Sequence, residues 1–170
     1  MRRQPMSGPI QLVNLLLSLL AFALVARWYI IPRLREVAPA QAIQPFLLLH
    51  SFRHIGMMFL AEGAVKTDLP EGFSLYAAYG DLAASILAFV ALAALRLKWP
   101  FAMLLVWVFN LEGTIDLVTA VSLGVANDAA TGMGATFWIP SVIVPALLVT
   151  HYIVFVLLLR SRREDVVRGA

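Results

Sequence analysis

Cysteine is absent from the 170 residues. Its absence excludes disulfides, thiolate metal ligands, iron–sulfur clusters and a cysteine nucleophile. Charge is scarce as well: charged residues make up 14% of the chain and apolar ones 61%, against about 25% and 45–50% in soluble domains. That shortage excludes an ordinary water-soluble domain. A Walker loop, a rhomboid-type or hydrolase serine motif and a CxxCH haem site are missing too, so no enzyme class is signalled by motif. The net charge of +3 is not a nucleic-acid signal here. The basic residues cluster at the ends of apolar runs, which is the pattern of membrane topology.

What the chain has instead is apolar length. A membrane helix needs about 20 mostly apolar residues at 1.5 Å each. Five such stretches fit, at about 10–31, 42–65, 72–97, 99–124 and 136–159. Pro9 and Pro32 bracket the first, Pro39 interrupts the first loop, and Pro70–Glu71–Gly72 and Trp99–Pro100 divide the next. The connection from Gly124 to Ala135 is rich in Gly, Ala, Asn and Asp, as a solvated loop should be. The fold expected is an all-α integral membrane bundle of five transmembrane helices, one domain over 1–170. A signal peptide is the rival reading of the first run. Its apolar core is too long, and the flanking charge is heavier after it (Arg27, Arg33, Arg35) than before it (Arg2, Arg3).

Charge orients the bundle. With the C-terminus cytoplasmic, the inner segments hold Arg33, Arg35, Arg96, Lys98, Arg160, Arg162, Arg163 and Arg168, and the outer ones only Arg2, Arg3 and Lys66. The positive-inside rule then places the N-terminus outside and 160–170 as a cytoplasmic tail, with 164–170 as solvated, disordered chain. Trp28, Tyr29 and Trp99 fall at the inner interface, and Phe73, Tyr76 and Trp138 at the outer one. The expected location is the inner (plasma) membrane, and the bilayer is the main partner.

Against this apolar background stand His50, Arg53, His54, Asp81, Glu112, Asp116 and His151. A charge at bilayer depth costs at least about 2.5–3.5 kcal/mol, so such residues face a bundle interior and serve a purpose. Counting from the inner surface, His50 and His151 lie on the order of 12 Å deep. His54, Asn110, Glu112 and Asp81 lie on the order of 16–21 Å deep. At helical spacing His50, Arg53 and His54 share one face, and so do Glu112 and Asp116. The first helix offers Asn14, Ser18 and Arg27 and is expected at the periphery.

Each group has two readings. His50-x-x-x-His54, with His151 at matching depth, is a candidate ligand set for a metal ion or haem; the alternative is hydrogen bonding between helices. Arg53 stays charged and needs a carboxylate or bound anion, with Asp81 and Glu112 as charge-pair candidates. Asn110 and Asp116 add to the same polar pocket, and a carboxylate left over is a candidate proton carrier, general base or metal ligand. Pro145 interrupts the fifth helix, and Gly56, Gly63, Gly80 and Gly113 flank the polar residues as packing sites or as room for a ligand. Three functions stay open. The first is a midplane pocket binding a small polar ligand, metal ion or cofactor. The second is a metal-dependent intramembrane enzyme acting on a lipid-like substrate. The third is a non-catalytic accessory subunit. Five helices are few for a stand-alone transporter, so a homo-oligomer or a membrane partner subunit is also expected.

Overall fold

The structure is a computed structural model that describes residues 7–169; Arg2 and Arg3 of the outer charge count lie outside the described residues. All regular structure described is helical. Helix α1 (Ser7–Val25) passes through a π-helical turn (Ala26–Ile30) into α2 (Ile31–Leu34). Helix α3 (Pro39–His50) continues as a 3-10 helix (Ser51–Leu60), followed by α4 (Glu71–Arg96) and α5 (Ala102–Ala126). Two short 3-10 turns and a π-helical turn (Ile139–Ile143) lead into α6 (Val144–Gly169). Four stretches are long and apolar enough to cross a membrane: Ser7–Leu34, Glu71–Arg96, Ala102–Ala126 and Gly134–Glu164. They cover the first, third, fourth and fifth expected spans.

The second expected span takes a different form. Its α-helical part belongs to the 12-residue helix Pro39–His50, and the next 10 residues are 3-10. A local cause is visible at the junction. The Ser51 carbonyl accepts from Ser85 Oγ at 2.6 Å and from His54 Nδ1 at 2.9 Å. With its acceptor capacity taken by side chains, it does not depend on the i+4 amide that holds α pitch. At about 1.5 and 2.0 Å per residue the composite still reaches roughly 38 Å, enough to match a hydrocarbon core of about 30 Å. It ends at Leu60. Residues 61–65 form a turn around Gly63, whose φ of 82° suits glycine.

Helix α4 is central because one face is small. Ala77, Ala78, Ala84, Ala88, Ala91 and Ala94 are buried, which lets the 39–60 segment and α5 approach closely on either side. Helix α6 packs on α1, α3 and α5. As expected of a peripheral helix, α1 buries no residue along Ser7–Val25. Three apolar clusters result, two of them large. On the expected inner side lie Ile43, Phe46, Leu47, Val106, Phe109 and Val154 with the alanines of α4. On the expected outer side lie Phe59, Phe73, Ala77, Met133 and Ile139. The third is Leu117, Val144 and Leu147. Phe73, expected at the interface, is instead buried against Phe59, ring centroids 5.3 Å apart. Beyond the Phe59–Phe73 cluster the connections 61–70 and 127–138 are joined: Lys66 N–H donates to Gly132 O and Ala135 N–H to Ala64 O, both at 2.9 Å.

Two further expectations change. Pro145 lies in the first turn of α6, where its missing N–H costs little, and the irregularity precedes it as the π turn at Ile139–Ile143. The chain after Arg160 is helical to Gly169 rather than disordered. Arg160 ties this end to the bundle, donating to Glu164 Oε1 at 2.8 Å and to Leu34 O, at the end of α2, at 3.0 Å.

Candidate functional site

Between the two large apolar clusters lies a polar layer organised around Arg53. A 3-10 helix has three residues per turn, so positions three apart eclipse. His50, Arg53, Gly56 and Phe59 therefore form one row, and all four are buried. His54 falls a third of a turn off that row and is exposed, its Nδ1 donating to Ser51 O. This corrects the shared face of His50, Arg53 and His54, which presumed α pitch.

Four acceptors surround the guanidinium. Arg53 Nε donates to Asp81 Oδ1 at 2.8 Å, and Nη2 to Asp116 Oδ2 at 2.5 Å. Nη1 donates to Gly113 O at 3.2 Å and makes a long contact of 3.5 Å with His151 Nε2. Asp81 is thus a partner of Arg53, as anticipated from depth. The second partner is Asp116, not Glu112. Glu112 is half-buried one turn before Asp116, and its Oε2 is enclosed without a hydrogen-bond partner among the described residues.

The histidines extend the layer inward. His151 Nδ1 lies 2.7 Å from Asn110 Oδ1, and Asn110 Nδ2 donates to His151 O at 3.2 Å. An amide oxygen only accepts, so Nδ1 carries the proton and Nε2 presents its lone pair to Arg53. His50 Nε2 lies 2.9 Å from Thr150 Oγ1, whose own hydrogen has the Ala146 and Leu147 carbonyls as acceptors. His50 therefore donates through Nε2, and its Nδ1 lone pair is buried without a partner among the described residues. The two imidazole rings lie against each other, centroids 4.1 Å apart, with Phe109 edge-on to His50. That contact leaves no slot for a porphyrin between them. With His54 turned away, the three histidines do not converge, and among the described residues no three His, Asp or Glu side chains gather as metal ligands.

Three glycines make the layer possible. A Cβ on Gly56 would overlap the Asp81 carboxylate, and one on Gly80 the Asp116 carboxylate. A Cβ on Gly113 would meet Arg53 Nη1 at 2.7 Å and His151 Nε2 at 2.8 Å. The space beside Gly56, Gly80 and Gly113 holds the network itself rather than a ligand. Gly63 is remote, in the turn at 61–65, with open space at its Cβ position. Thr150, the Gly113 carbonyl and Ser85 are members that sequence reading missed. Thr150 gives no signal of its own, because a threonine in a membrane helix ordinarily bonds its own backbone.

Two narrow cavities meet at Asp81. One, about 30 Å³, runs toward the 127–138 connection between α4, α5 and the start of α6, past Phe73, Leu117, Gly124 and Met133. The other, about 80 Å³, lies between residues 49–56 and 139–147. Both have room for water and not for a large cofactor.

Fold and site together define an all-α protein with four helices long and apolar enough to cross a membrane and a buried arginine–aspartate–histidine network. The chain belongs to the family described as Domain of unknown function (DUF8737), which matches residues 10–159. No curated protein and no solved structure matches it.

Proposed function

We propose that this protein is a single five-crossing domain of the inner membrane, with the N-terminus outside and the C-terminus cytoplasmic, whose midplane layer binds and exchanges a proton. The observation that carries this reading is the charge inventory. Arg53 is one positive group shared by Asp81 and Asp116, with Glu112 a turn away. No Lys or Arg occurs between Arg53 and Arg96 except Lys66 in the outer loop, and none between Lys98 and Arg160. One cation thus faces three acids where uncompensated charge is expensive. A proton is the smallest counter-charge, and water-sized cavities favour it over a larger ligand. Chains of Asp, Glu and His within a membrane are the usual material of proton relays. His151 and His50 continue the layer toward the inner side.

Infrared difference spectroscopy on protein in lipid tests this. A protonated-carboxyl band is expected to appear and vanish across a pH step, and Asp81→Asn or Asp116→Asn is expected to shift or remove it. The absence of any such band in folded protein would overturn the reading.

A further inference from the structure

The cavity between residues 49–56 and 139–147 opens sideways, toward lipid. Leu49 and Phe52 at its mouth are 44% and 55% exposed on the bundle surface. Both of its walls depart from α geometry: one is the 3-10 stretch after His50, the other the π turn Ile139–Ile143. At membrane depth irregular backbone is tolerated where it is buried in protein or lines a cavity, and π turns concentrate at functional sites. The far end of this cavity is charged. Asp81 gives only Oδ1 to Arg53, while Oδ2 lies over Gly56 with no donor among the described residues, and the side chain keeps 12% of its surface open.

We infer that this cavity is a binding site for a membrane-soluble molecule carrying a hydroxyl head on a hydrocarbon tail. The site rests on the proton-exchange reading and adds a ligand for the same Asp81. Access through lipid-facing residues selects an occupant that partitions into the bilayer. An acceptor lacking a donor selects a head that donates, which a hydroxyl does and an ether or ester oxygen does not. The volume, about 80 Å³, is below the roughly 150 Å³ of a dry cavity that admits benzene. The head alone therefore enters, and the tail stays in the bilayer along Leu49 and Phe52. The head's O–H would point at Asp81 Oδ2, placing an exchangeable proton on the network from the lipid side.

The test is photolabelling in liposomes with a hexadecanol analogue carrying a diazirine beside the hydroxyl, mapped by mass spectrometry. Label is expected to concentrate in residues 49–56 and 139–147. The matching methyl ether, which needs no protein variant, is expected to label there about fivefold less, the worth of one net hydrogen bond. Leu49→Trp, a lipid-facing change that closes the mouth, should lower the label similarly, while Leu104→Trp, exposed on α5, should not. Even labelling of Leu16, Leu104 and Ile115, or equal labelling by alcohol and ether, overturns the site. If labelling fails while the Asp81-dependent carboxyl band persists, the lipid site falls and proton exchange stands. Labelling without the band leaves the lipid site standing and removes proton exchange.

Discussion

A glycine without a Cβ is what lets each charged side chain of the polar layer reach its partner. Gly56 accommodates Asp81, Gly80 accommodates Asp116, and Gly113 accommodates Arg53 and His151. Gly56→Ala, Gly80→Ala and Gly113→Ala are therefore each expected to destabilise by about 1–3 kcal/mol, as overpacking does. Gly72→Ala, with open space at its Cβ position, should be neutral or stabilising by up to about 1 kcal/mol, since alanine suits a helix better. Unfolding in mixed micelles or by steric trapping measures all four. Equal effects at Gly72 and Gly80 would contradict the cradle. The importance of Arg53, and its pairing with Asp81, was legible in the sequence, because a guanidinium at bilayer depth requires carboxylates and depth counting finds them. The choice of Asp116 over Glu112 was not. Both lie on neighbouring parts of α5, and the missing Cβ of Gly80 on the facing helix decides between them.

At the scale of elements, hydropathy located four long helices, because length and apolarity are local properties of the chain. The 3-10 stretch was hidden. It depends on Ser85, 34 residues away in sequence, donating to the Ser51 carbonyl. The same cause misplaces His54: the i, i+4 rule assumes α pitch, and three residues per turn sends that side chain outward. Phe73 was misjudged for a related reason. An aromatic near a helix end looks like an interfacial anchor, yet this one fills the outer cluster beside Phe59. An irregularity near Pro145 was foreseeable from its missing N–H. Its resolution into a π turn plus a new helix start depends on packing against α1.

For the whole molecule, the polar layer lies about 15 Å of helix from the outer ends of α4 and α5, measured at Asp81 and Asp116. Apolar clusters close it above and below. The expected orientation makes a C-terminal fluorescent-protein fusion bright and a C-terminal alkaline phosphatase fusion inactive; the opposite pair of results would invert the bundle and the side from which the outer cavity opens. At the centre of the molecule one guanidinium pairs with two aspartates. The most direct test of that pairing compares the folding stability of three proteins in the same lipid: wild type, Arg53→Leu, and the triple variant Arg53→Leu, Asp81→Leu, Asp116→Leu. Removing the cation alone should cost about 3–5 kcal/mol by stranding buried acid, whereas replacing all three by apolar side chains should recover most of that loss. An Arg53→Leu protein as stable as wild type, or a triple variant no better than the single, would contradict it.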